Sequence, residues 1–361
     1  LIAVVGIVPY IALQLKAVSD SLSTILSHPG ITAGVVAQPV FGDLALFVAL
    51  AMAMFAVLFG TRHIDATEHQ DGLMLAIATE SVVKVVAFVG VGVFVTFWLF
   101  AGPVDLFGKA LEQARTAAVL TGAPNLPMML TMTLLSAFAI LLLPRQFHVT
   151  VVENHSEADI RRATWLFPLY LVVINLFVVP IAIAGLMTFP RGAIDGDMYV
   201  LALPLYAHSS LWTVIAFVGG LSAATAMVIV ECVALAIMVA NDIVVPLVLK
   251  RRGAMISGQR DVGALLLAVR RGAIFVILLL AYMYYRSAAD AQLAAIGLLA
   301  FAALAQLAPA FFGGLIWRRA TARGAIAGMV IGTLVWAYTL LLPNFVDVGL
   351  VGQRIVTHGP F

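Results

Sequence analysis

Long apolar segments separated by short polar connections dominate the chain. About 20 apolar residues cross the hydrocarbon core of a bilayer, and residues 211–230 form an uncharged run of that length before Glu231 and Asp242. The chain is therefore predicted to be an all-α, multi-pass membrane protein with about nine spanning helices. These lie near residues 1–26, 43–60, 73–101, 126–144, 163–188, 211–249, 270–286, 291–317 and 324–343.

Composition supports the membrane assignment and excludes several other classes. The 361 residues are 63% apolar and 11% charged, whereas soluble domains are about 25% charged. A single cysteine, Cys232, excludes a disulfide framework and a cysteine-based zinc site. Nothing in the sequence indicates nucleic-acid binding, a resident cofactor, a metal site or an enzyme active site. His63, His69, His148 and His155 are expected to be surface residues.

Residues 105–120 alternate apolar and polar side chains at helical spacing, so they are predicted to lie along the membrane surface. Basic residues concentrate in alternate connections, which predicts that these connections are cytoplasmic and that segment one leaves the cytoplasm. The cytoplasmic set is Arg62, Arg145, Arg161, Arg162, Lys250, Arg251, Arg252, Arg260, Arg270, Arg271, Arg318, Arg319 and Arg323; the opposite set is Lys109, Arg115, Arg191, Arg286 and Arg354.

The segment 211–249 has the composition of a helix at the centre of a bundle. Its first half is rich in small residues, among them Gly219 and Gly220, which let helix backbones approach closely in lipid. Glu231 follows at membrane depth, where an ionisable group is costly and is a candidate functional residue. An apolar bundle favours the neutral form of a carboxylic acid, so Glu231 is a candidate for proton coupling; the alternative is a structural hydrogen bond to a neighbouring helix.

Residues 309–336 read PAFFGGLIWRRATARGAIAGMVIGTLVW. This stretch resembles the signature near the end of the solute:sodium symporter family. Residues 60–84, 144–154 and 239–252 resemble other parts of that family, closest to the subgroup whose membrane region is fused to a sensor histidine kinase.

The resemblance implies an inverted-repeat (LeuT-like) transporter fold in a bacterial inner membrane. Residues 1–361 would form a single symporter-like domain, with 1–101 ending the first repeat, 126–317 forming the second and 324–343 adding a helix. The first two core helices of the family would precede residue 1.

The resemblance also implies a small-molecule solute, with an amino acid as one candidate, and Na⁺ or H⁺ as the coupling ion. A carboxy-terminal kinase module and a response regulator would be the protein partners. The alternative is a freestanding sodium- or proton-coupled symporter. Kinase motifs following residue 361 would distinguish the two.

The expected sodium ligands of the family are a hydroxyl pair on the eighth core helix. An ungapped alignment on Asp242 places Ala226 and Met227 there, and neither can bind sodium. Ser222 and Thr225 lie nearby but out of register. The sequence therefore favours a degraded sodium site, with Ser222 and Thr225 as alternative ligands or as donors to the preceding helical turn.

Two further groups of polar residues are candidates at membrane depth. Glu80 and Lys84 stand at i, i+4, the favourable order for a helical ion pair, and are expected to neutralise one another. The resemblance places the candidate substrate-binding residues Tyr10, Gln14 and Ser19 on the third core helix and Gln306 on the tenth. For each of these four, the alternative is an interhelical hydrogen bond.

Overall fold

A computed structural model describes residues 2–26, 43–60, 71–154, 156–190, 193–247, 259–287 and 292–343. Within these ranges the chain is helical and has no β-strand. The first half contains α1 (Ile2–Leu26), α2 (Leu44–Gly60), α3 (Asp71–Phe94), α4 (Pro103–Glu112), α5 (Ala114–Thr121), α6 (Leu126–Leu142), α7 (Pro144–Phe147) and α8 (Glu157–Asn175).

The second half begins with a short helix that follows α8. It ends with a helix that is broken after Ala305 and with one further helix. It contains α9 (Val178–Thr188), α10 (Tyr199–Tyr206), α11 (Ser210–Met238), α12 (Gln259–Ser287), α13 (Leu293–Ala305), α14 (Ala308–Ile316) and α15 (Ala322–Trp336). Four helices, α3, α7, α11 and α15, continue into π-helical turns at Val95–Leu99, His148–Val152, Val239–Val244 and Ala337–Leu341.

The multi-pass prediction is confirmed, while the count of nine spans stays a prediction. Each predicted segment contains a helix, yet only seven helices of the described residues are long and apolar enough to span a bilayer. The other two, α2 and α6, have 17 residues each, or about 26 Å at 1.5 Å per residue. If α5 and α6, bent by 69°, are counted as one span, the number becomes eight.

The predicted surface segment forms the amphipathic helices α4 and α5. Leu106 and Ala110 of α4 are fully buried, whereas Val104 and Leu111 are exposed. Lys109 Nζ lies 2.8 Å from Asp105 Oδ2 on the polar side. The two helices pack against α9, which holds them beside the bundle.

Helix α11 is the centre of the bundle and packs against α1, α2, α3 and α12. Its small residues allow this close packing. A Cβ atom at Gly219 would lie 2.4 Å from the Cβ of Ala87 in α3, and one at Gly90 of α3 would lie 2.9 Å from the Trp212 ring of α11. Glycine at both positions therefore brings the two backbones closer than larger side chains allow.

The helix contacts repeat when two sets of three helices are exchanged. Helix α1 packs on α2, α12 and α13, and α11 packs on α12, α2 and α3. Exchanging α1 with α11, α2 with α12 and α3 with α13 converts the first set of pairs into the second. The pairs α1–α11 and α2–α12 are also in contact, and the exchange converts each of them into itself.

Asp43, just before α2, connects this helix to α12. Its Oδ2 accepts hydrogen bonds from the Tyr282 hydroxyl and from Arg286 Nη1, while Oδ1 accepts from the Ala45 backbone N–H at 3.0 Å. The Tyr282 hydrogen bond is the main reason that the pKa of Asp43 is lowered. The carboxylate thereby caps α2 and ties it to the exposed end of α12.

Substituting the two adjacent glycines of α11 tests the close packing. Gly219→Ala should lower the melting temperature of the full-length protein in detergent, because the new methyl group overlaps Ala87; overpacking costs about 1–3 kcal/mol. Gly220→Ala is the matched control, since no atom lies within 4 Å of its added Cβ, and both variants gain the same helix propensity. Equal melting temperatures for the two variants would contradict the close α3–α11 contact.

Candidate functional site

Glu231 lies inside the protein rather than in lipid. Its side chain is 0% exposed, and its neighbours Val230, Cys232 and Val233 are also buried. The helices around α11 bury this part of it on all sides, so the carboxyl group is surrounded by protein. The sequence prediction of a carboxylic acid within the bundle agrees with this position.

Arg145 of α7 is the charged residue that interacts with the Glu231 carboxyl group. Both its guanidinium and its backbone N–H lie near that group. Neither carboxylate oxygen has hydrogen-bond geometry to a donor of the described residues, and Arg145 Nε is also buried without a partner. The guanidinium carbon lies 5.9 Å from the centroid of the Tyr10 ring. The Tyr10 hydroxyl donates to Met227 Sδ at 3.6 Å.

A bend in the chain brings Arg145 into the bundle. Helix α6 ends at Leu143, which has extended backbone angles (φ −61°, ψ 123°), and Pro144 begins α7. Proline is favoured at the first helical position and disfavours a helical residue before it. The structure thus places Arg145 in a short helix within the connection that follows α6, and its cytoplasmic position stays a prediction; the Leu-Pro pair was the sequence signal for this second helix.

A polar connection joins α3 to α11 at the predicted ion-coupling hydroxyls. Ser222 Oγ donates to the Glu80 carbonyl oxygen at 3.3 Å, and Thr225 Oγ1 donates to the Leu221 carbonyl oxygen at 2.9 Å. The Glu80 carboxyl also hydrogen-bonds to the Thr225 hydroxyl.

The expected ion pair between Glu80 and Lys84 does not form. Neither side chain is in a salt bridge within the described ranges. Lys84 Nζ instead lies 5.6 Å from the centroid of the Tyr170 ring in α8, and Glu80 turns toward Thr225. Helical spacing allowed the pair, but partners on neighbouring helices determined both side-chain positions.

The four candidate substrate residues lie in helix contacts. Tyr10, Gln14 and Ser19 are buried in α1, and the Tyr10 ring packs 6.0 Å from Phe301 of α13. Gln306, at the break between α13 and α14, donates from Nε2 to the Ala302 carbonyl oxygen at 3.0 Å. Its Oε1 would lie only 2.5 Å from a Cβ atom added at Gly332, so this position has no room for a side chain. A substrate contact stays a prediction for these residues.

A cavity of about 430 Å³ opens beside α11 and has none of those four residues in its wall. Its lining comes from α1, α3, α8, α9, α10 and α11, together with Leu293 of α13 and the turn before α10. Most lining side chains are apolar. The polar ones are Ser21, Lys84, Asn175 and Asp197.

His148 was expected at the surface, but it is buried, with 9% of its area exposed. Its Nε2 lies 3.1 Å from Glu153 Oε1. Burial lowers the pKa of His148, and this effect outweighs the neighbouring Glu153 carboxylate, which raises it. His63, His69 and His155 lie outside the described residues.

The chain was compared with protein-family models, curated proteins and solved structures. No protein-family model, curated protein or solved structure matches it. Two features of the chain's own geometry are relevant to a function: the charged groups buried around α11, and the adjacent cavity.

His148 predicts a pH-dependent stability. The unfolded chain binds a proton at His148 below about pH 6.5, whereas the folded chain resists it, so stability should fall as the pH decreases from 7.5 to 5.5. His148→Asn should weaken this dependence, measured as melting temperature against pH in detergent. His208→Asn is the matched control, because Asn tolerates the positive φ of 54° at that position. An unchanged slope in His148→Asn would contradict the assignment.

Proposed function

We propose that the chain is the membrane-embedded solute-binding and transport region of a sensor histidine kinase, of the solute:sodium symporter type. Its fold would be the inverted-repeat (LeuT-like) transporter fold. The observation that supports this best is the exchange of helix contacts between α1, α2, α3 and α11, α12, α13. Residues 1–101 would end the first repeat and 126–317 would form the second, with the helix at 324–343 added.

The exchange of contacts is what an inverted repeat would produce. If α2, α3, α6 and the α8–α9 pair each cross the bilayer once, α1 and α11 cross it in opposite directions. Two structurally equivalent units of opposite direction are related by an axis in the membrane plane, as in many secondary transporters. Helix α1 in the first unit and α11 in the second would then be equivalent.

Breaks in the helices support a transport function. Helix α13 stops at Ala305 and α14 begins at Ala308, and α6 bends into α7 at Leu143. Discontinuous helices in secondary transporters free backbone groups to bind solutes and ions near the bilayer midplane. The bend at Leu143 lies one residue before Pro144 and places Arg145 near Glu231.

The polar groups favour proton coupling over sodium coupling. At the positions of the expected hydroxyl pair, Ala226 has no ligand atom and the Met227 sulfur accepts from Tyr10, whereas sodium prefers oxygen ligands. Glu231 is fully buried with both oxygens lacking a hydrogen-bond donor among the described residues. Glu80 provides a second carboxyl group in the helix pair α3–α11, beside the hydroxyls of Ser222 and Thr225.

The proposed sensor function is tested in proteoliposomes that contain the full-length protein. Autophosphorylation from labelled ATP should change when a mixture of the twenty amino acids is added, and at least one labelled amino acid should bind or accumulate. Accumulation without any phosphorylated histidine would contradict the sensor assignment and leave a freestanding symporter. Phosphorylation that responds to no solute, with no binding or uptake, would contradict the symporter-like assignment.

Glu231→Gln tests proton coupling. The variant keeps the size of the side chain but cannot release a proton, so it should insert and bind solute yet lose accumulation driven by an imposed pH gradient. Solute uptake in proteoliposomes and solute binding in detergent measure the two properties. Glu112→Gln, which removes an exposed carboxylate at the end of α4, is the matched control.

The outcomes separate coupling from packing. Accumulation like that of the unmodified protein would show that Glu231 is not the proton carrier. Failure of Glu231→Gln to insert would show that the residue acts through packing. Loss of accumulation in Glu80→Gln alone would transfer the assignment to the group formed by Glu80, Ser222 and Thr225.

A further inference from the structure

We propose that the cavity beside α11 binds a small solute with an apolar body and one carboxylate, and that Lys84 pairs with this carboxylate. The proposal rests on the proposed function in one respect, namely that the chain binds a solute. It adds the chemical class of that solute and a site, formed by α1, α3, α8, α9, α10 and α11, that differs from the predicted substrate residues.

The size and lining of the cavity suit a small apolar body. Its volume of about 430 Å³ lies within the range of roughly 300–1,000 Å³ that is typical of small-molecule pockets. Phe88, Ile174, Met198 and Phe217 contribute apolar lining. Such surfaces bind hydrocarbon by removing it from water, while a few polar groups fix the orientation of the solute.

Lys84 supplies a positive charge that forms no salt bridge with a carboxylate of the described residues. It lies near the middle of the span Met74–Leu99, where an ammonium group is costly without a partner. None of the salt bridges within the described ranges includes it, and its Nζ lies over the face of the Tyr170 ring. A bound carboxylate would provide the missing opposite charge.

Asp197, the acidic residue of the cavity wall, is hydrogen-bonded to α13. Asp197 Oδ2 accepts the backbone N–H of Leu293 at 2.9 Å, at the first turn of α13. The positive end of the α13 dipole stabilises a carboxylate at this position. Asp197 is therefore held by α13, and it forms no salt bridge with Lys84.

Tyr170 packs beside Lys84 at the edge of the cavity. Lys84 Nζ lies 5.6 Å from the centroid of the Tyr170 ring. Tyr170 itself does not line the cavity, so the Lys84 ammonium group is the charged donor that a bound carboxylate would meet there.

Binding of 4-methylpentanoate to the full-length protein in detergent tests the proposal. Calorimetry should detect binding of this carboxylate and at least about tenfold weaker binding of 4-methylpentanamide, its neutral counterpart, because the amide lacks the charge that Lys84 would bind. Lys84→Met, which keeps the length of the side chain, should weaken carboxylate binding by a similar factor, and Lys84→Arg should retain it.

Two further variants separate a loss of the site from a loss of the fold. Gly220 lines the cavity and has no atom within 4 Å of an added Cβ, so Gly220→Leu should fill the cavity and abolish binding without lowering the melting temperature. Lys109→Met removes a lysine that pairs with Asp105 outside the cavity and should bind like the unmodified protein.

Equal binding of the acid and the amide, unchanged binding in Lys84→Met, or no binding at all would overturn the proposal. Because this measurement requires neither transport nor phosphorylation, such a failure leaves the proposed function to its own test. A failure of that test with intact carboxylate binding would instead remove the symporter-like sensor assignment and keep the site.

Discussion

The close approach of α3 and α11 is the contact on which the rest of the bundle depends. In lipid, helix association depends on van der Waals packing and interhelical hydrogen bonds, because the surrounding hydrocarbon is as apolar as the side chains. Gly219 against Ala87 and Gly90 against Trp212 bring the two helices together. This packing also places Ser222 and Thr225 of α11 against Glu80, so the apolar contact determines the polar one.

The charged side chains of the bundle differ in how many hydrogen-bond or ion-pair partners they have. Asp43 has two donors on α12 at the exposed end of that helix. Within the described part of the chain, Arg145 is the charged neighbour of Glu231, and Lys84 packs against the Tyr170 ring. Asp43 thus has donors at both carboxylate oxygens, whereas Glu231 and Lys84 form no salt bridge with another described residue. Uncompensated charges at membrane depth are typical of sites that bind ions or solutes.

Sequence periodicity was sufficient for the helices but not for their side-chain partners. Every apolar segment became a helix, because hydrophobic length is a local property of the chain. The predicted ion pair Glu80–Lys84 does not form, because Lys84 contacts Tyr170 on α8 and Glu80 contacts Thr225 on α11. No local sequence pattern reveals these partners. Arg145 and His148 were assigned to a polar connection, whereas the bend at Leu143 directs both into the protein. The cavity is lined by residues of seven helices and could not be predicted from any one of them.

Helices α1 and α11 make corresponding helix contacts but carry different polar residues. Helix α1 presents Tyr10 toward Arg145 and Met227, whereas α11 contributes Glu231 itself. The charged cluster therefore combines residues from both helices with Arg145 from α7. Any movement of α7 relative to α1 and α11 would change the surroundings of the Glu231 carboxyl group, and protonation of that group would change how strongly Arg145 is held. Such a movement and the protonation of Glu231 would then be thermodynamically linked.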